Sequence, residues 1–401
     1  MTIQQAVILA GGRGTRLRPS SDLRPKPLIQ VAGRPFLEHL VQLLGRSGIS
    51  RVLILTGYEA QEVENTMGDG SRLGVSISYN RQPEHFETGA RLAAALPQLE
   101  DRFLLLYSDN ICPLRLPELE SRLAQPETLG VMTVYTNEDG YSRDNVRVQD
   151  GRVEAYDRSR TAPDLAGVDI GFVALRKEVL SRIPEGNPSF EAHVYPQLVE
   201  EGALGAVETE HRYYSIGDYS RLAATERYLG GTPTILLDRD GTLNVRQPRA
   251  RYVESWDDWS WLPGALDALV ILRQQGVRVL VITNQPGIGK GVVSLDSLHE
   301  IHRRMARDAA EAGGYIEAVY FCPHDWDEGC RCRKPAPGML FQAQKDYCLN
   351  LSETLFVGDD DRDGEAAAAA GCPFEQVDDA RTLLQVVSER FHLPGDPAVA
   401  G

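Results

Sequence analysis

The chain alternates short apolar runs with longer amphipathic ones, and it begins this rhythm twice. AVILA (6–10), RVLILTG (51–57), RFLLLYSD (102–109) and GVMTVYT (130–136) are compact and apolar, as expected of strands buried on both faces. PFLEHLVQLLGRSG and TGARLAAALPQL, which lie among them, space their apolar residues as amphipathic helices do. Strand and helix in this order predict βαβ units and a mainly parallel sheet. NVRVQDGRVEAYD (145–157) breaks the pattern, because two alternating runs around Asp150-Gly151 predict a hairpin. At LGGTPTILLD (229–238), Gly230, Gly231 and Pro233 end one helix and a fresh strand opens. RVLVITN (278–284), YIEAVYFC (315–322) and TLFVGDD (354–360) continue this second series, while AAAAAG (366–371) reads as a helix end. The expected fold is α/β, with two Rossmann-like three-layer domains over residues 1–230 and 231–395.

At 401 residues the chain exceeds one ordinary core. A net charge of -15 argues against nucleic-acid partners and anionic membranes. It leaves phosphate esters open, provided that Arg and Lys gather locally. No run approaches the roughly 18 apolar residues of a membrane helix. MTIQQAVILAGG lacks the basic start of a signal peptide, so cytoplasmic residence is expected. Clustered cysteines in such a chain point to metal or catalysis rather than to disulfides.

Directly after the first strand comes GGRGTRLRPSSDLRPKPL (11–28). A Gly-rich turn at a strand's carboxyl end exposes backbone N–H groups to a phosphate, and Arg13, Arg16, Arg18 and Lys26 add positive charge. This loop resembles the signature of sugar-nucleotidyltransferases, in particular the D-glycero-α-D-manno-heptose 1-phosphate guanylyltransferases, over residues 4–228. The resemblance implies a GT-A-like mixed sheet and in-line attack on the α-phosphorus of a nucleoside triphosphate, GTP first among them. Gly11, Gly12, Gly14 and Arg16 would cradle the triphosphate, with Lys26 nearer the reacting centre. A magnesium ion would use Asp109 in LLLYSDN. The family's second metal aspartate falls at Ser215 in YYSIGDYSRL, which leaves Asp218 as its candidate replacement. FETGARL (86–92) stands where the family has Gly-Thr-Gly, and Arg158 near its usual lysine. Thr88, Gly89, Arg158 and Asp169 are the corresponding candidate sugar contacts.

The second series opens with ILLDRDGTLN. Two aspartates one residue apart at the end of a buried strand are costly to desolvate without a cation. Asp238 and Asp240 here, Thr283 in VITNQ, Lys334 in CRKP and Asp359 in FVGDDDRD resemble, in order, the motifs of haloacid-dehalogenase-type phosphohydrolases. By that likeness Asp238 is the nucleophile and Asp240 the general acid and base. Magnesium rests on Asp238, Asp359 and the Asp240 carbonyl, Thr283 and Asn284 bind phosphoryl oxygens, and Lys334 balances charge. Asp360, Asp361 and Asp363 crowd the same region.

CPHDWDEGCRCRKP (322–335) places Cys322, His324, Cys330 and Cys332 just before Lys334-Pro335. Two thiols, an imidazole and a third thiol make a tetrahedral zinc set with no open position, hence a structural one that clamps the lysine's loop. With DRDGTLN, YVESWDDWSWLPGA, TNQPGIGKG and CRCRKPAPGML, the loop resembles the D-glycero-D-manno-heptose 1,7-bisphosphate phosphatases over about residues 234–385. Histidinol-phosphate phosphatases are the nearest rival. Arg333 and Lys290 would bind the substrate's distal end, while Asp360 replaces a lysine frequent in the heptose enzymes. Removing the 7-phosphate of heptose 1,7-bisphosphate leaves the 1-phosphate that a nucleotidyltransferase consumes, so the two likenesses meet on one intermediate. Two alternatives stay open: a hexose 1-phosphate transferase beside an unrelated phosphatase, or an N-terminal half that only senses nucleotide. A homo-oligomer is compatible with either.

Overall fold

The structure, a computed structural model, describes residues 2–12, 25–248 and 251–391. The chain divides into two compact units, Met1–Gly230 and Gly231–Gly401.

In the first unit, nine strands form one mixed sheet. Their order is Ser76–Arg81, Arg51–Thr56, Gln5–Ala10, Arg102–Tyr107, Val168–Arg176, Gly130–Tyr135, Leu204–Thr209, Arg152–Tyr156 and Val146–Gln149. The first four run parallel, as the βαβ pattern predicts. Val168–Arg176 enters antiparallel to both neighbours, and the hairpin at Asp150-Gly151 closes the far edge. Both hairpin residues have positive φ, 49° and 72°, the left-handed conformation that an Asp-Gly turn accommodates. Apolar side chains cover both sheet faces. Ile8, Ile54 and Leu104 join helix Phe36–Arg46 on one side, and Val7, Leu53 and Leu105 join helix Phe190–Glu200 on the other. That double burial explains why these strands read as continuous apolar runs.

In the second unit, five strands run wholly parallel in the order Ala318–Cys322, Arg278–Asn284, Thr234–Leu237, Leu355–Gly358 and Phe374–Gln376. Helices Ala265–Gln274 and Leu295–Glu311 contribute to the core on one face, and Gly338–Tyr347 and Asp361–Ala370 to that on the other. Thr234–Leu237 lies at the centre of the sheet, so its carboxyl end delivers Asp238 into the crevice where ligands of parallel sheets bind. No helix among the described residues is long and apolar enough to cross a membrane.

Candidate active sites

The carboxyl ends of three adjacent strands converge in the second unit. Thr234–Leu237 ends at Asp238, Arg278–Asn284 carries Thr283, and Leu355–Gly358 leads into Asp359. Lys334 arrives from the cysteine loop and is 3% exposed. Its ammonium lies 2.5 Å from Asp238 Oδ1 and 2.6 Å from Asp363 Oδ1, and it donates to the Ile282 carbonyl at 2.8 Å. Burial works against this charge, but the two carboxylates outweigh it and raise the lysine's pKa. Asp238, Asp359 and Asp363 bring one oxygen each to within 4.8 Å of one another.

Three carboxylates around one ammonium leave an excess of negative charge. Burial above all, opposed by Lys334 and reinforced by Asp363 and Asp240, pushes Asp238 up to about 7. Burial likewise pushes Asp359 up to about 6. Asp359 Oδ1 is buried without a hydrogen-bond partner. A hard divalent cation is what this donor set lacks, and an oxygen-only site of this kind suits magnesium. Two glycines make the approach possible. A Cβ on Gly241, whose φ is 98°, would lie 2.1 Å from Asp359 Oδ2, and one on Gly358 would lie 2.3 Å from Asp363 Oδ2. Asp363 is therefore the third carboxylate of the cluster, a residue that the sequence leaves among several crowding acids.

The Asp240 carboxylate stands outside that cluster and receives four donors. Arg239 gives two, at 3.1 and 2.9 Å, Asn244 one at 3.0 Å and Gln285 one at 2.8 Å. Burial raises its pKa, but Arg239 and the hydrogen bonds from Asn244 and Gln285 more than offset this and hold it below the usual value. Gln285 also donates to Thr283 Oγ1 at 2.9 Å, so Thr283 is tied to the same network.

Asn284 lines the cavity and has a second role besides the expected one. Its amide grips Lys334, with Oδ1 accepting from the Lys334 N–H and Nδ2 donating to its carbonyl, both at 3.0 Å. A cavity of about 480 Å³ opens above these groups and is lined also by Arg246, Arg251, Tyr252, Arg333 and Arg362. Asp360 does not face it as an isolated acid. It pairs with Arg246 at 2.6 Å and with Arg362 at 2.8 Å, while the other Arg246 nitrogen reaches Asp359 at 3.0 Å. Arg333 lines the cavity and donates to the His324 carbonyl at 3.3 Å. Lys290 is outside the lining. It pairs with Asp325 at 3.5 Å and sits 5.9 Å from the Tyr252 ring centre.

The four zinc candidates converge. Cys322 Sγ lies 3.5 Å from His324 Nδ1 and 3.6 Å from Cys330 Sγ. Cys332 Sγ lies 3.2, 3.4 and 3.5 Å from His324, Cys322 and Cys330. Tetrahedral zinc with its usual bond lengths would separate such atoms by about 3.6–3.8 Å, so the donor set fits with a small expansion. Gly329, at φ 62°, turns the chain between the two halves of the set.

In the first unit the sites are looser. Strand Gln5–Ala10 ends at Gly11 and Gly12, which line a cavity of about 440 Å³ with Lys26, Thr88, Arg91, Tyr107 and Asp109. Lys26 Nζ lies 2.5 Å from Asp109 Oδ2. Gly14 and Arg16, with Arg13 and Arg18, lie outside the described residues. Arg91, missed from sequence, is buried beneath the turn and donates to the carbonyls of Thr56, Gly11, Pro83 and Glu84 at 3.0–3.4 Å. Its guanidinium fills the space a Gly11 side chain would need, which explains that glycine.

Asp218, the candidate second metal aspartate, has another role in this fold. It caps helix Tyr219–Leu229, accepting from Arg221 N at 3.0 Å and Ser220 Oγ at 2.6 Å, and Gly217 lines the cavity in its stead. Arg158 and Asp169 are also outside the lining. Arg158 donates to Ser189 Oγ at 3.1 Å, and Asp169 is pushed up to about 7 by burial. Gly89 serves close packing, since a Cβ there would meet the Pro188 carbonyl at 2.8 Å. Glu191, which the sequence did not single out, takes hydrogen bonds from Thr88, Ser189 and Tyr107.

The family model of nucleotidyl transferases matches residues 5–142, and that of haloacid dehalogenase-like hydrolases matches residues 191–371. The chain thus carries a nucleotidyltransferase domain followed by a haloacid-dehalogenase-like phosphatase domain. The D-glycero-beta-D-manno-heptose-1,7-bisphosphate 7-phosphatase of Bordetella bronchiseptica is 44% identical over 138 residues, covering 34% of this chain and 76% of that protein. Through its C-terminal unit the chain belongs to that phosphatase family. A crystal structure of D,D-heptose 1.7-bisphosphate phosphatase from B. bronchiseptica, complexed with magnesium and phosphate, matches at 35% identity and TM-score 0.37, over 39% of this chain and 97% of that one. A candidate glucose-1-phosphate thymidylyltransferase from Bacillus anthracis, in complex with a sucrose, matches at 22% identity and TM-score 0.51, over 57% of this chain and 96% of that one. This last likeness concerns the fold alone.

Proposed function

We propose that the chain is a bifunctional enzyme of NDP-heptose formation. Its C-terminal unit would remove the 7-phosphate of D-glycero-D-manno-heptose 1,7-bisphosphate. Its N-terminal unit would join the resulting 1-phosphate to a nucleotidyl group, GMP from GTP first among the candidates. The observation that carries the reading is the cluster of Asp238, Asp359 and Asp363 closed on Lys334 beneath an arginine-lined cavity. Arg246 and Arg362 are held by Asp360, Arg246 also reaches Asp359, and Arg251 and Arg333 line the same cavity. The second phosphate of a bisphosphate would meet these arginines, which stand where Asp360 replaces a lysine.

In the proposed hydrolysis, Asp238 attacks phosphorus, the bond to the sugar oxygen breaks, and Asp240 gives that oxygen a proton. Water then attacks the aspartyl-phosphate, Asp240 takes its proton, and inorganic phosphate leaves. The four donors around Asp240 favour its ionised form, so the arriving phosphate dianion is what favours the acid form. Asp238, Asp359 and Asp363 would hold magnesium, which supplies charge neutralisation between anionic nucleophile and anionic ester. Cys322, His324, Cys330 and Cys332 would hold a structural zinc that stiffens the approach of Lys334. In the N-terminal cavity, Gly11, Gly12 and Lys26 would receive the triphosphate, with Asp109 toward a magnesium ion. The sugar phosphate oxygen attacks the α-phosphorus and pyrophosphate departs. Six free cysteines suit a cytoplasmic setting.

To test this, the full chain is incubated with heptose 1,7-bisphosphate, GTP and magnesium. Inorganic phosphate should appear first, then pyrophosphate and GDP-heptose in equal amounts; absence of both activities rejects the proposal. Replacing GTP by ATP, CTP or UTP assigns the base. The use of Asp218 as a helix cap favours one second reading, a nucleotide-sensing N-terminal unit. Saturable GTP binding without any pyrophosphate, while phosphate release persists, would select it.

A further inference from the structure

We propose that Arg239, the residue between the two aspartates of the first motif, acts with His302 as a positioning pair that fixes the plane of the Asp240 carboxylate toward the leaving-group oxygen. This rests on the phosphatase chemistry above and on nothing about the sugar.

Arg239 is 1% exposed, an unusual burial for a guanidinium. Two of its nitrogens grip Asp240: Nε lies 3.1 Å from Oδ2, and Nη2 is shared between Oδ2 at 2.8 Å and Oδ1 at 2.9 Å. The third, Nη1, lies 3.1 Å from Nε2 of His302, which comes from helix Leu295–Glu311. A guanidinium only donates, so His302 Nε2 is the acceptor and the ring proton sits on Nδ1. Burial first, and then the charge of Arg239, hold the His302 pKa down at about 3, which keeps the ring in the neutral form that can accept. Trp259, 5.8 Å from the guanidinium carbon and stacked on Trp256 at 5.3 Å, lies beside the same group. Asp240, His302 and Trp259 thus restrain the guanidinium from three sides.

A buried charge is costly, and an aliphatic side chain would fill a core more favourably. What Arg239 adds is geometry. A carboxylate turns about its last bond; Asn244 holds Oδ1 and Gln285 holds Oδ2 by one bond each, and Arg239 adds a rigid planar group that holds both oxygens at once. His302 belongs neither to the cluster Asp238, Asp359 and Asp363 nor to the cavity lining, whereas Arg239 is part of that lining, so the effect of His302 passes through Arg239.

The leaving group supplies the test. A sugar alkoxide needs a proton as its bond to phosphorus breaks, whereas p-nitrophenolate leaves without one. The measured quantity is the ratio of kcat/KM for a sugar phosphate to kcat/KM for p-nitrophenyl phosphate, taken on one preparation of the full, metal-loaded chain so that any unfolded fraction cancels. Each kcat/KM ends at aspartyl-phosphate formation and so leaves out the later step in which Asp240 is the base for both esters. His302→Leu should lower this ratio by about 10- to 100-fold, a part of the roughly 10²- to 10⁴-fold that a positioned proton donor supplies. His302→Gln, whose Oε1 can accept the same bond, should recover most of it, and Arg239→Lys should lower it at least as far as His302→Leu. An equal slowing of both esters by His302→Leu, or no recovery in His302→Gln, overturns the proposal. If His302→Leu does not fold, an unchanged ratio in Arg239→Lys overturns it as well. The sugar phosphate used is whichever of heptose 1,7-bisphosphate and fructose 1,6-bisphosphate the wild type hydrolyses faster. Rejection of the heptose substrate alone therefore refutes the pathway reading and leaves this one measurable.

Discussion

The two cavities solve the problem of a phosphate ester differently. In the C-terminal unit the charged groups are locked to one another before any ligand arrives. Lys334 is buried between Asp238 and Asp363, and Asp240 has four donors. In the N-terminal unit Lys26 and Asp109 meet at a cavity edge, with side chains 16% and 33% exposed, and Arg91 beneath them binds only backbone carbonyls. A reaction through a covalent aspartyl-phosphate needs a nucleophile, a cation site and an acid at fixed spacing. A direct displacement on a nucleotide needs chiefly a positive cradle, and the nucleotide brings part of its own order. Rigidity is concentrated where bonds to the protein are made.

The sharpest way to break this contrast is to remove one nucleophile. Asp238→Asn should abolish phosphate release from the bisphosphate, by on the order of 10⁴-fold or more, because no other group can form the intermediate. Supplied with heptose 1-phosphate and GTP, the same variant should retain wild-type pyrophosphate release. Loss of both activities would mean that the two sites do not work independently. The reciprocal change is smaller. Lys26→Gln removes one charge from the N-terminal cradle and should lower pyrophosphate release by about 10²- to 10³-fold, the cost of one electrostatic contact to a transition state, with phosphate release unaffected.

Much of this contrast can be read in the chain itself. Asp238, Thr283 and Asp359 sit at or just beyond the ends of parallel strands, where an apolar run stops and a polar motif begins, and Lys334 closes the cysteine loop that follows another such strand. The four zinc candidates are close in sequence as well as in space. What the residues do not reveal is how distant helices complete the site. His302 lies 63 residues from Arg239 and looks like an ordinary residue on an amphipathic helix. Asp363 is one of four nearby acids, and its burial against Lys334 in the space left by Gly358 is what distinguishes it. Asp218 shows the opposite difficulty, since an aspartate beside a helix start serves as a cap whether or not a metal is near. Arg91 and Glu191 act through carbonyls and hydroxyls whose positions are fixed only by tertiary structure.

Zinc removal sharpens the comparison at intermediate size. Elemental analysis should find one zinc per chain. Stripping it with a chelator should lower the unfolding temperature of the C-terminal unit by several degrees, since roughly 1 kcal/mol shifts a domain of this size by about 2–4 °C. Cys330→Ser should reproduce the loss. The N-terminal unit, which has no such cluster among its described residues, should melt as before. Equal shifts in both transitions, or none, would count against a structural zinc confined to the phosphatase.

The smallest effect separates the sites through protons. Burial raises Asp238 to about 7 and Asp359 to about 6, above the 3.8 of a free aspartate. Between those limits the folded, magnesium-free protein binds more protons than the unfolded chain, so its stability falls as pH rises. The C-terminal transition should therefore drop by a few degrees between about pH 5 and pH 8 without magnesium. Magnesium needs these carboxylates ionised, so its affinity should rise over the same interval, and the stabilisation it gives should be larger at pH 8 than at pH 5. Calorimetry at both pH values, with and without the ion, measures this directly. If magnesium stabilises equally at both, the buried carboxylates are ionised without it, and Lys334 and Arg246 would carry the charge balance of the resting site.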